Sequence, residues 1–122
     1  MDGNRKIDFL IQNGVDANKG ISNMMDIETY NEIMDDFYNG LDEELAKINN
    51  FKNMGDMPNY AILVHALKSN ARSFGFDKLG EIAYAHEMKS KENDINYVNE
   101  HYKELIDEAL RVKQIIQTYK SL

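Results

Sequence analysis

The imidazoles of His65, His86 and His101 are the three side chains of this sequence that titrate near neutrality and can act as nitrogen nucleophiles. His65 lies beside an apolar stripe, not on it. Tyr60, Val64, Leu67, Ala71 and Phe74 are spaced four, three, four and three, the rhythm of a buried helix face. Ala61, His65, Lys68 and Arg72 form a second stripe, with Ser69 next to it. That face is polar in an otherwise apolar stretch, so its imidazole is expected to reach solvent. Lys68, one turn away, stands where a phosphoryl group on the ring would extend. Phosphoryl transfer asks for positioning and charge compensation more than covalent help. Lys68 offers a compact point charge, and Ser69 a small side chain with a hydroxyl that leaves room for an incoming partner. His86 reads as a core-edge histidine hydrogen-bonded inside the fold, and His101 as solvent-facing between Val98 and Tyr102. The seven methionines read as fillers of core gaps.

The run His65-Ala66-Leu67-Lys68-Ser69-Asn70-Ala71-Arg72-Ser73-Phe74-Gly75, followed by Leu79 and then Ala83 to Glu87, resembles the signature of the histidine phosphotransfer (HPt) family. Members of that family show His-x-Leu-Lys-Gly, a small residue, a helix-ending glycine, then Leu and Ala-x-x-Leu-Glu. Upstream, Gly20-Ile21, Asp26, Tyr30 and Phe37 look like the family's entry into its second helix, so the likeness covers nearly the whole chain. Two positions depart from it: Ser69 stands where the family most often has Gly, and His86 where it usually has Leu. The resemblance implies that His65 is phosphorylated on Nε2 and that Lys68 steadies the phosphoryl oxygens. It also implies a polar side chain on the next helix that bonds the other ring nitrogen. Helix geometry points to Glu87 for that part. The midpoint of 65 and 87 is 76, inside a tight turn, and residues equidistant from such a turn lie at the same height on antiparallel helices rising ~1.5 Å per residue. A carboxylate on Nδ1–H fixes the tautomer and leaves Nε2 free to attack. Lys91, one turn on, adds positive charge.

These residues need helices to hold them. One proline in 122 residues, with abundant Glu, Lys, Leu, Ile and Met, points to an all-α fold. A short helix is expected over residues 4–13, with Ile7, Leu10 and Ile11 on one side, and Gly14 and Gly20 marking turns. A long segment over 26–54, capped by Asp26, carries Tyr30, Ile33, Met34, Phe37, Leu41, Leu45, Ile48 and Phe51 in one stripe. It runs in phase through Gly40, as one kinked helix or two in line. Asp56 and Pro58 start a helix over 57–74, and Gly75 ends it. Asp77 is expected to cap a helix over 77–91, and 89–94 reads as a loop. The last helix covers 95–119, with Val98, Tyr102, Leu105, Ala109, Val112 and Ile116 inward. Short connections make successive helices antiparallel. The expected architecture is an up-down four-helix bundle with an extra short N-terminal helix, a single domain over 1–122.

Composition narrows the partners. A net charge of -7 argues against a nucleic-acid binder or an anionic membrane surface. The absence of cysteine excludes disulfides and thiolate metal sites, and no signal-like or membrane-length apolar run is present, so a cytoplasmic protein is expected, with a monomer as the default because the sequence does not encode an oligomeric state. A di-iron bundle needs Glu-x-x-His pairs, but Ile62, Ala83 and Val98 precede the histidines by three. With no glycine-rich phosphate loop the chain is not a kinase and must receive its phosphoryl group. The resemblance implies a phosphorelay carrier that takes the group from a receiver-domain aspartate, on a hybrid sensor kinase or a separate protein, and passes it to a response regulator. No cofactor is expected, and the divalent metal belongs to the receiver. Docking is expected around Ala61, His65, Arg72 and Lys91, and on the first helix near Ile7, Ile11 and Val15. The alternative is a non-catalytic adaptor that uses the same bundle to bind a receiver or kinase with His65 idle.

Overall fold

Aspartates set most of the helix starts. In the computed structural model, which describes residues 2–122, the side chains of Asp16, Asp26, Asp56 and Asp94 accept from the backbone N–H of Lys19, Thr29, Asn59 and Tyr97. Each satisfies a donor that the first turn of a helix leaves unpaired. Gly55 and Gly75, at φ 69° and 93°, end two helices in the left-handed conformation. The elements are α1 (Asp2–Gln12), α2 (Ala17–Asn23), α3 (Ile27–Met54), α4 (Met57–Phe74), α5 (Asp77–Lys91) and α6 (Ile95–Ser121), with no strand among the described residues. Among those residues no helix is long and apolar enough to cross a membrane.

Helices α3 to α6 make the expected bundle. α4 packs between α3 and α5, and α6 closes the ring against α5 and α3. The core carries Tyr30, Met34, Leu41, Leu45 and Ile48 from α3, and Tyr60, Val64, Leu67, Ala71 and Phe74 from α4. Leu79 and Ala83 come from α5, and Val98, Leu105, Ala109, Val112 and Ile116 from α6. α3 is one continuous helix through Gly40, where an added Cβ would meet nothing within 4 Å. Ile33, expected inward, is exposed.

The sequence reading put a turn at Gly20. The structure has a helix there, α2, which carries no apolar stripe to announce it. It is held by contact: a Cβ on Gly20 would fall against the Phe74 carbonyl and the Tyr30 ring. α2 thus rests on the C-terminal end of α4. Tyr30 donates from its hydroxyl to the Phe74 carbonyl at 2.9 Å, and the Asp16 N–H donates to the Gly75 carbonyl at 2.9 Å. Phe37, Phe74 and Phe76 cluster beneath this turn with ring centroids 5.3–6.2 Å apart. The α4–α5 turn is therefore clamped from three sides. Asp77 does not cap α5: the cap position is Phe76, with no side-chain bond, and Asp77 instead pairs with Lys19 at 2.6 Å. α5 ends at Lys91, the expected bound, so of the stretch 89–94 read as a loop only 92–94 lies between the helices.

Glycine is required at 75 and optional at 40. Gly75→Ala adds left-handed strain and drives a Cβ into the Asp16 backbone, so it should lower unfolding free energy by ~2–4 kcal/mol. Gly40→Ala, in an open helix interior, should raise it by ~0.5–1 kcal/mol. Urea unfolding of the two variants checks both signs.

Candidate functional site

The clamped turn sets the register of α4 against α5, and that register brings His65 and Glu87 together. His65 is 56% exposed on the outer edge of α4. Glu87 faces it from α5 with its side chain only 3% exposed. His65 Nδ1 and Glu87 Oε2 are 2.7 Å apart. Lys68 Nζ donates to Glu87 Oε1 at 2.6 Å and lies 3.3 Å from His65 Nδ1. Lys91 Nζ reaches Glu87 Oε2 at 2.9 Å from one turn along α5.

Burial would raise the Glu87 carboxyl, but hydrogen bonds from Lys68, Lys91 and His65, with the Lys68 charge, outweigh it and hold the group down at about 2. The ionised carboxylate accepts only. A 2.7 Å contact to Nδ1 therefore requires the proton on Nδ1. The ammonium of Lys68 is also a donor, so its approach to Nδ1 is proximity and not a hydrogen bond. In the neutral ring the lone pair is on Nε2, which faces outward. The cluster thus presents a solvent-reachable nitrogen nucleophile with its tautomer fixed from behind.

The other expected residues divide. Ser69 is exposed beside Lys68, and its carbonyl accepts from the Ser73 hydroxyl at 2.8 Å. Arg72 is exposed but folds over α5, close against the face of Gly80, with its guanidinium 5.3 Å from the Tyr84 ring centroid. Gly80 so makes room for the Arg72 side chain. Ala61 is buried, contrary to its expected exposure, because it floors a groove of about 620 Å³. Met57, Pro58, Ile62, His65 and Lys91 also line that groove. Ile7 is half-buried and Ile11 exposed on α1, which packs on α6 and α2, and neither residue lines the groove. Val15, expected at the surface, is buried in the core.

Residues missed in the sequence are Ile62, Tyr84 and Ser90. Ile62 is an exposed isoleucine one turn before His65, and its position off the core stripe was the available signal. Tyr84 carries both Lys68 and Arg72 over its ring, each 5.3 Å from the centroid. Ser90 is buried and donates to the Glu87 carbonyl at 2.9 Å.

His86, next to Glu87 in sequence, points the other way and is fully buried. Its Nε2 lies 3.1 Å from the His101 carbonyl, which can only accept, so Nε2 carries the proton and Nδ1 accepts from the Tyr60 hydroxyl at 2.8 Å. His101 is half-buried, stacked on Tyr97 with centroids 4.1 Å apart, and not fully solvent-facing. No group of three or more His, Asp or Glu side chains placed to hold a metal ion occurs among the described residues.

Comparison with known proteins places these features in context. A family model described as the Hpt domain matches residues 32–117. No curated protein and no solved structure matches the chain.

Burial lowers the His86 value from the ordinary 6.5, which sets a pH dependence. The unfolded chain takes up this proton more readily than the folded one, so the contribution to stability is complete above ~6.5 and is lost as pH falls below it. Glu87 acts in a separate window, from its ordinary 4.5 down through about 2. Between pH 7 and pH 5 the unfolding free energy should fall, by at most ~1.4 kcal/mol per pH unit for this one proton. The Tyr60→Phe, His86→Leu double variant should show a shallower slope in urea titrations run across that range.

Proposed function

The chain belongs to the Hpt domain family, and on that premise we propose that it is a carrier in a multistep phosphorelay, with His65 as the phosphoryl acceptor. Histidine phosphotransfer in two-component phosphorelays is the activity of this family, and its members interact with receiver domains and kinases. The reading of this chain is a single-domain, cytoplasmic monomer that takes the group from a receiver aspartate and passes it to a response regulator.

The observation that carries the assignment is the Nδ1–H of His65 held by the ionised, buried Glu87 carboxylate, with Nε2 facing out. The Nε2 lone pair attacks phosphorus, the bond from phosphorus to the aspartyl oxygen breaks, and that oxygen keeps the electron pair as a carboxylate. The proton on Nδ1 stays where it is, so the phosphorylated ring carries positive charge. Glu87 is already in place to compensate that charge at no cost of reorganisation. Lys68, on a long flexible stem one turn away, supplies positive charge to the phosphoryl oxygens. Return of the group to an aspartate reverses the same steps.

The groove beside His65 supports docking at this face. Ile62 and Pro58 give it exposed apolar edges and Lys91 a cationic one. Arg72 and Ser69 extend the contact surface along α4, while Ile7 and Ile11 on α1 offer a second, separate patch.

Incubation with a phosphorylated receiver domain should transfer acid-labile, base-stable label to the chain. His65→Gln should abolish labelling with unchanged helical circular dichroism; label that persists in this variant removes the assignment. Lys68→Ala should slow transfer ~10²-fold, the usual cost of losing one charge that stabilises the transferred group. An adaptor with an idle histidine would bind the receiver and take up no label.

A further inference from the structure

Glu87 has more partners than a histidine-orienting group needs. Its two oxygens hold His65 Nδ1, Lys68 Nζ and Lys91 Nζ at 2.7, 2.6 and 2.9 Å. The two lysines are unlike. Lys68 is drawn into the hairpin, 13% exposed, and lies on the Nδ1 side of the ring. Lys91 is 58% exposed and comes from the same helix as Glu87, four residues on.

Lys68 as it stands is on the wrong side of the imidazole to touch a phosphoryl group on Nε2. To reach one, it must leave Glu87. A buried carboxylate stripped of its only cation is strongly disfavoured. Without another charge on Glu87, that carboxylate would grip Lys68 and oppose the move. Lys91 provides the other charge, and its position does not depend on α4 or on the ring. We infer that Lys91 is a positioning residue that keeps the Glu87 carboxylate paired while Lys68 moves from it to the phosphoryl oxygens. The inference rests on His65 being the acceptor. It assigns Lys91 a task exerted through Glu87, beyond the cationic edge it gives the groove.

The task predicts a specific coupling. Lys91→Met leaves Lys68 as the sole lysine on Glu87 and should hinder its release. In a Glu87→Gln background the amide has no charge to keep paired, so Lys91→Met should then change nothing. Phosphoramidate is a suitable probe because it phosphorylates histidine with no receiver to dock. The P–N bond of the donor breaks, ammonia leaves, and the new bond forms at His65 Nε2. Rates of phosphorylation and the half-life of the product at position 65 are read by peptide mass spectrometry for wild type, Lys91→Met, Glu87→Gln, the double variant and Lys91→Arg. The expected result is an about tenfold slower reaction in Lys91→Met at saturating donor. Lys91→Arg should restore the rate, and the lysine substitution should have no effect once Glu87 is Gln. An equal loss in both backgrounds means that Lys91 acts directly on the donor, and no loss in the wild-type background means that Lys68 is free without it. Either result overturns this inference and leaves His65 labelling intact. A wild-type protein that takes no label at His65 overturns the phosphotransfer reading, and this inference with it.

Discussion

A carboxylate taken out of water has to be answered by donors, and the geometry around Glu87 follows from that demand. An ionised carboxyl costs several kcal/mol to bury unless its lone pairs are satisfied. Here three donors satisfy them, and two are cations. They come from two helices, so the carboxylate also acts as a register pin. If α4 slid one residue against α5, the ring and Lys68 would rotate away together and leave the charge unanswered. The pin and the clamp at the turn reinforce each other. Gly75 allows a tight reversal, and α2, Tyr30 and Asp16 fix where that reversal sits. Ten or more residues further along each helix, the interhelical distances are then set to hydrogen-bond precision.

A second polar contact between the same helices controls rotation. Tyr60 and His86 meet inside the bundle, behind the surface pair of His65 and Glu87, and His86 also bonds the backbone of α6. Consecutive residues on α5 thus serve different faces, about 100° apart: His86 faces the core and Glu87 faces the edge of α4. Such a helix is buried on two faces, with Leu79, Ala83, His86 and Ser90 on one and Gly80 and Glu87 on the other. Two contacts at different angles about the helix axis fix its rotation, where one would fix only its height. Every buried side-chain polar atom described has a partner, which is the condition under which buried polar networks rigidify a fold and do not weaken it.

The sequence made the bundle legible because its information is local and periodic. The stripes of α3, α4 and α6 each bury one face against the core, and capping aspartates with left-handed glycines punctuate them. The pairing of His65 with Glu87 was legible for the same reason: equal distance from a turn is arithmetic on a helix. What stayed hidden depends on tertiary contact. α2 has seven residues and no stripe, and its helix exists because Gly20 can lie on the end of α4. Ala61 shares a polar stripe with His65 yet is buried, because its small side chain lies at the floor of the groove between longer neighbours. Asp77 has the right type for a cap, but Lys19, far away in sequence, claims it. The nearness of Lys91 to Glu87 was legible from their i,i+4 spacing, but the burial of the carboxylate against α4 was not, since it depends on tertiary contact.

The choice of a carboxylate at position 87 explains the two lysines. A neutral amide could accept from Nδ1–H and set the same tautomer, with no charge to bury and no need of cations. A carboxylate does more: it favours positive charge on the ring, which is what the proposed attack through Nε2 would create. That benefit brings a liability, because an anion close to the site repels the incoming phosphoryl group. Lys68 and Lys91 against the single charge of Glu87 turn the local balance to net positive, on a chain whose overall charge is -7. Screening by salt leaves the distant acidic residues little influence at the ring, whereas the cluster acts at contact distance. In the proposed transfer the site would therefore present a cationic face to a dianionic phosphoryl group while keeping an anion behind the ring, and it is the burial of Glu87 between two helices that separates those two fields.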